Sequence, residues 1–384
     1  MPARVCFVLA HVGDHHAPRL CDLQNALRAQ GGELLVIQGR RSSVFYRHKQ
    51  SRRDALTATL SITLLGQRAP SGQVADVWRR LSHRRPTHVV VLGYSDPLAL
   101  TAMLWAKAHR RPVVFLSDSK ADDQPRSRGG ELIKSLLLKG FDGALVAGLR
   151  HKAYFRSLGF QGPIGIGYDV VDNSYLEARA RAYGRRRSKL VAMGAMPERF
   201  VLCVSRLIPR KRVDRAVEIF AASGISGHGF EMIIVGNGPH QGIVEDAIER
   251  LGVRDKVKII PHLPTSRMPL LYSGARALIL ASEYDQWGLC VNEAMACGVP
   301  TVVSERSGAA HELVVDGDNG IVFADNEIAK AIDGLQLLCR DAKFHATMAH
   351  SAKRTMASWS LDTFTRNLLE ILDDVSRAPR NSSQ

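Results

Sequence analysis

The chain has 384 residues, 45% hydrophobic and 23% charged, with 52 Lys and Arg against 37 Asp and Glu and a net charge of +15. That length predicts two domains, each with its own core, and no run nears the roughly 18 apolar residues of a membrane span. The positive balance favours an anionic partner (nucleic acid, a membrane surface or a phosphorylated ligand) without choosing among them.

The opening residues MPARVCFVLAHVG are interrupted too early by His11 for a signal peptide and read as a first strand. Six cysteines, none in a CxxC pair, sit mostly in apolar stretches and read as buried thiols of a reducing, cytoplasmic setting. Strands are then predicted at Val5–Ala10, Leu34–Gln38, Ser61–Leu65, Val89–Gly93, Val113–Leu116 and Ala144–Ala147. Helical spacing lies between them, at Leu20–Gln30, Val74–Leu81, Leu98–His109, Glu131–Lys139 and Lys152–Leu158. This alternation argues for a parallel sheet with helices on both faces. His15 and His16, on the first loop, read either as ligand contacts or as solvated surface. Residues 117–128 form a long charged loop suited to lining a binding site.

From Gly167 to Pro197 the rhythm breaks, with GYDVVDN followed by a basic helical run over Glu177–Lys189. A second alternation follows. Strands are predicted at Val201–Ser205, Phe230–Val235, Val257–Ile260, Ala277–Leu280, Thr301–Ser304 and Ile321–Phe323, and helices at Val213–Ala222, Gly242–Arg250, Arg267–Ser273 and Ile328–Leu338. A last helix spans Leu361–Val375, and the tail 379–384 reads as frayed. The expected division is 1–168, a crossover over 169–197, 198–357, and 358–384 returning to the first domain.

Three stretches of the second half carry chemistry. The strand ending at Ser205 runs into Arg206-Leu-Ile-Pro-Arg-Lys211, two cations five residues apart. Ile233-Ile-Val-Gly236-Asn-Gly238-Pro239 is a buried strand meeting a glycine turn. Asp285 and Glu293 are eight residues apart, one in a loop and one inside the helix that follows. Glu293 heads an apolar Ala-Met-Ala-Cys run, where an unpaired carboxylate is costly, so it reads as a ligand-binding group. The first N–H groups of that helix, at Gly288 and Leu289, form an anion site. Asp316-Gly-Asp318 is the only obvious DxD and reads as a hairpin turn, not a metal site, and no zinc spacing occurs.

The segment from Asp285 to Pro300 resembles the E-x7-E segment of retaining glycosyltransferases of family 4, with Asp285 in place of the first Glu. The resemblance implies an α/β fold of GT-B type, two Rossmann-like domains facing across a cleft with the terminal helix crossing back. It implies that Arg206 and Lys211 clasp the donor diphosphate with Gly288 and Leu289, that Glu293 holds the ribose, and that Asp285 positions the transferred sugar. Ser205 and Arg212 stand where relatives have Gly. Asp118 stands where many relatives have a sugar-contacting His, and either holds a sugar hydroxyl or caps the next turn. The implied reaction moves a sugar from a nucleoside diphosphate sugar to an acceptor hydroxyl with retention, without metal or other cofactor, in polysaccharide, lipopolysaccharide or glycolipid synthesis. Basic pairs such as Arg79-Arg80 and Arg110-Arg111 suit docking on anionic lipid from the cytoplasmic side, or serve only as a solvated face. A noncatalytic relative of the same fold is the alternative. An oxidoreductase lacks its GxGxxG at Ala10–His16, and nucleic-acid binding lacks a stacking platform, aromatics being 6% of residues.

Overall fold

The computed structural model describes residues 2–39, 51–65, 70–94, 96–123 and 125–377; the expected frayed tail lies outside them. The described chain divides into two compact units. The first takes the residues up to Ala121, Pro125–Val170 and those from Leu361 onward; the second takes Val171–Ser360 with Asp122 and Asp123.

The first unit runs β1 (Arg4–Leu9), α1 (His16–Ala29), β2 (Glu33–Gln38), α2 (Ser51–Thr57), β3 (Ser61–Leu64), α3 (Pro70–Arg84), β4 (His88–Leu92), α4 (Pro97–Ala108), β5 (Val113–Ser117), α5 (Arg128–Leu138), β6 (Gly143–Val146), α6 (Leu149–Ser157) and β7 (Ile164–Ile166). Its sheet has the order β3-β2-β1-β4-β5-β6-β7, with every pairing parallel. The strands read as continuous apolar runs because helices cover both faces. Val89, Val90 and Val91 are fully buried, as are Val113, Val114 and Phe115. Asp96 starts α4 by accepting the Leu98 N–H at 2.9 Å, with Pro97 in the first turn.

The second unit opens with α7 (Asn173–Gly184) and α8 (Arg187–Ala192), so the basic run is two helices and not one. Gly184, a poor helix former, ends the first of them. Asp172 caps α7 by accepting the Tyr175 N–H at 3.0 Å. Then come β8 (Phe200–Val204), α9 (Val213–Ala222), β9 (Glu231–Val235), α10 (Gln241–Arg250), β10 (Val257–Ile260), α11 (Met268–Tyr272), β11 (Ala275–Leu280), α12 (Leu289–Ala296), β12 (Thr301–Ser304), α13 (Gly308–Leu313), β13 (Gly320–Phe323), α14 (Ile328–Arg340) and α15 (Ala342–Ala357). The parallel sheet order is β10-β9-β8-β11-β12-β13. The order reverses beside β8, so the loops after β8 and β11 flank the switch point where such sheets bind ligands.

Helix α16 (Leu361–Arg377) belongs to the first unit. Its buried stripe of Leu368, Ile371, Leu372 and Val375 follows helical spacing. Asn367 donates to the Ile166 carbonyl at 2.8 Å and Thr365 to Asp22. The Asp316–Asp318 turn joins α13 to β13, so it is not the hairpin its glycine suggested. Asp316 accepts the Val322 N–H and pairs with Lys330, while Asp318 accepts from Ser351.

Candidate active site

The site of the second unit is assembled by three loops at the carboxyl ends of its strands. After β8 the chain passes Arg206, two residues beyond the strand, and makes a short 3-10 turn at Pro209–Lys211. The glycine loop after β9 lies against it backbone to backbone. A Cβ on Gly236 would fall 1.8 Å from the Ser205 carbonyl oxygen and one on Gly238 2.2 Å from that of Leu207, so only glycine fits. Leu207 donates its N–H to Asn237 and its carbonyl accepts from His240.

The 3-10 turn delivers Lys211 to Asp285. The ammonium donates to Asp285 Oδ2, and Arg210 Nη1 lies 3.9 Å from Oδ1. Both partners are nearly closed to solvent, Lys211 at 9% and Asp285 at 5% exposure. A buried pair of this kind is maintained by mutual attraction against a large desolvation cost. Lys211 follows Arg210, whose guanidinium sits over the Tyr284 ring and donates to the Tyr284 carbonyl at 3.2 Å.

Arg212 leaves the turn in the left-handed region, φ 43° and ψ 49°, which favours Gly. Its guanidinium forks onto Asp214 at 2.9–3.2 Å. A side chain in that conformation costs about 1–2 kcal/mol. Arg212→Gly is therefore expected to be more stable than Arg212→Ala by about 1 kcal/mol, read from denaturant midpoints.

The acidic loop after β11 reaches α12 through Gly288, at φ 103°. A Cβ there would sit 2.9 Å from both Leu280 and the Ser307 hydroxyl. The loop before α13 holds it: Ser307 Oγ donates to the Trp287 carbonyl, Ala309 N–H donates to the same oxygen at 3.0 Å, and Gly308 N–H to the Asp285 carbonyl at 3.2 Å. Trp287 donates its indole N–H to Asn292 at 2.8 Å and stacks on Trp359. Ser307→Ala removes one buried hydrogen bond and is expected to cost about 1 kcal/mol, visible as a lower Tm.

Glu293 is 5% exposed and accepts from the Tyr272 hydroxyl at 2.8 Å. Burial first, then this carboxylate, holds the Tyr272 phenol well above its usual range, so it remains a donor. Cys290, in the first turn of α12, is pushed up by burial and then by Asp285, with Glu293 adding to it and Lys211 opposing. The structure thus brings Asp285, Lys211, Gly288, Leu289 and Glu293 around one helix start. Tyr272, Arg210 and Ser307 were not read from sequence. Nothing in their spacing marks them, since each acts through a partner made by folding.

The other candidates lie in the first unit. His16 accepts the Gly13 N–H on Nδ1 at 3.2 Å and lies 3.2 Å from the Tyr168 hydroxyl through Nε2. Burial, then Arg19, lowers its pKa to about 3. Its neutral ring is thus engaged within its own unit, and His15 is half-buried beside it. Asp118 follows β5 by one residue. It helps raise the Tyr168 phenol, after burial and Asp169, against Arg19. Arg19 itself is buried and donates to the Val170 carbonyl at 2.7 and 3.0 Å. Among the described residues no group of three or more His, Cys, Asp and Glu could hold a metal ion. No helix among them is long and apolar enough to cross a membrane.

Residues 193–355 match the family described as glycosyl transferases group 1. A GDP-mannose-dependent alpha-(1-6)-phosphatidylinositol monomannoside mannosyltransferase of Mycolicibacterium smegmatis is 27% identical over 79% of this chain and 81% of its own length. An alpha-D-kanosaminyltransferase of Streptomyces kanamyceticus is 28% identical over 44% of this chain and 43% of its own. Among solved structures, Anabaena HepE in complex with UDP and glucose superposes with a TM-score of 0.77 at 18% identity, covering 97% of this chain and 99% of its own. A glycosyltransferase of Rickettsia africae gives 0.78 at 14%, covering 98% and 99%. The fold is that of GT-B proteins.

Proposed function

We propose that the chain moves a hexosyl unit from a nucleoside diphosphate sugar to an acceptor hydroxyl, with retention at the anomeric carbon. The observation that carries the reading is the buried Lys211 ammonium held by Asp285 beside the N-terminus of α12. As the glycosidic bond breaks, negative charge grows on the departing diphosphate. A fixed cation and a helix N-terminus stabilise that charge more than they stabilise the bound donor, and this difference accelerates the reaction. Arg206 supplies the second cation, so the reading needs neither metal nor other cofactor. Glu293 takes the ribose hydroxyls, and Asp285 orients both Lys211 and the hydroxyls of the transferred sugar. The leaving phosphate accepts the acceptor's proton on the same face.

The acceptor is a glycan or lipid-linked sugar of cell-surface polysaccharide, lipopolysaccharide or glycolipid synthesis, reached from the cytoplasmic side with the protein docked on anionic lipid. The mycobacterial relative, named for a phosphatidylinositol monomannoside, supports the lipid-linked class. His15, His16 and Asp118 belong to the acceptor side.

The test is a panel of UDP-, GDP- and ADP-sugars, followed by thermal shift and by donor hydrolysis or transfer. One nucleotide class should stabilise the protein and turn over. Stabilisation without turnover on any donor would make the chain a binder, and stabilisation by none would end the reading.

A further inference from the structure

We infer that the outward face of α5 is a membrane-docking surface that seats on an anionic lipid bilayer. The inference rests on the lipid-facing part of the proposed function and shares no residue with the donor site.

Helix α5 carries its apolar side chains on the wrong side for a core helix. Leu132, Ile133 and Leu136 are 63%, 61% and 56% exposed, and only Leu138 of the helix is buried. The three follow i, i+1, i+4 spacing and so share one face. Along that stripe, exposed Arg128 stands at one end and exposed Lys139 at the other.

The opposite side of the helix is pinned. Glu131 pairs with Lys134 at 2.7 Å and accepts from the Tyr154 hydroxyl of α6 at 2.9 Å. The Arg126 guanidinium covers the Tyr154 ring at 4.7 Å. The helix cannot turn its leucines inward without breaking this clamp.

The surroundings say what covers the face. Helices α3 to α6 follow strands stepping in one direction across the sheet, so right-handed crossovers put them on one face. The only acids on these four helices are Asp76 and Glu131. Both are already tied to cations, Asp76 to Arg79 and Arg80. Basic residues are left in excess on this layer, and Leu104 of α4 adds a further exposed aliphatic at 57%. Three aliphatic side chains form too small a patch for a stable protein interface, which takes about 800 Å² from each partner. An aliphatic ridge with basic ends instead matches interfacial insertion, in which the apolar face enters the acyl boundary and the cations meet anionic headgroups.

The experiment uses the full chain and sedimenting vesicles of phosphatidylcholine with and without phosphatidylglycerol. Wild type should sediment with the phosphatidylglycerol vesicles and lose most of that binding at high salt. The variant Leu132→Ser/Ile133→Ser/Leu136→Ser and the variant Arg128→Glu/Lys139→Glu should each bind at least about tenfold more weakly. All five positions are exposed, so both variants should keep the wild-type Tm. Nucleotide-dependent stabilisation, read on the same samples, should also be unchanged. That readout reports the donor site alone, so a failure of the donor reading would show there and not in sedimentation. The inference is overturned if wild type ignores the vesicles, if both variants bind as wild type does, or if the serine variant instead turns a dimer into monomers.

Discussion

Lys211→Ala is expected to lower kcat/KM for the donor by about a thousandfold and to cost about 3–5 kcal/mol of stability. The two losses have separate causes, both written in the ion pair with Asp285. The catalytic loss follows from removing a preorganised cation at the point where diphosphate charge grows. The stability loss follows from stranding Asp285, 5% exposed, as a buried carboxylate whose remaining cation, Arg210, lies 3.9 Å away. A second change separates them. Lys211→Ala/Asp285→Asn removes the stranded charge and should recover most of the lost stability, while transfer stays at or falls below the Lys211→Ala level because the sugar-orienting carboxylate is lost as well. Equilibrium unfolding and donor kinetics on both variants measure this. Transfer within about tenfold of wild type in Lys211→Ala would show that the diphosphate is held elsewhere.

The pair also bears on the shorter acid at position 285. A Glu there would reach one methylene further. Here the 3-10 turn brings the Lys211 ammonium to the aspartate directly, and the backbone around Asp285 is fixed by the Arg306 carbonyl and the Gly308 N–H.

Most strands were legible because parallel strands buried on both faces are unbroken apolar runs: β8, β11 and β12 each stand out from their flanks. What escaped has physical reasons. β7 is three residues, Ile-Gly-Ile, too short to show a period. α13 begins Gly-Ala-Ala, so its opening glycine reads as a turn. α15 buries Met348, Ser351, Ala352 and Met356, a stripe half made of small or polar residues with little hydropathy contrast. The residues proposed for the donor site fall within two short segments of fixed spacing, which is why sequence alone could nominate them. Their supports were not legible. Ser307 meets Trp287 across twenty positions and Tyr272 meets Glu293 across twenty-one, through loops whose packing no local pattern encodes. The inverted face of α5 was hidden for a related reason: its spacing is that of any amphipathic helix, and only packing shows which way the leucines point.

Glu293→Gln is expected to raise the donor KM by about 10–100-fold with a smaller change in kcat, because charge-assisted hydrogen bonds to ribose are roughly twice as strong as neutral ones. The glutamine keeps the shape of the side chain and can still accept from Tyr272, so the fold should hold. Glu293→Ala adds a second effect. It strands the Tyr272 hydroxyl, a buried donor kept protonated by its surroundings, at a cost of about 1–3 kcal/mol. Tyr272→Phe is the control that removes the donor and leaves the carboxylate, so it should bind donor nearly as wild type. Nucleotide-dependent stabilisation gives an independent readout, since a ligand at a hundred times its Kd contributes about 2.7 kcal/mol. Wild type and Tyr272→Phe should show that gain, and Glu293→Gln should lose most of it at the same nucleotide concentration. If Glu293→Gln instead keeps the full gain and the wild-type KM, the carboxylate serves only to seat Tyr272 in the core, and the ribose is held by other groups.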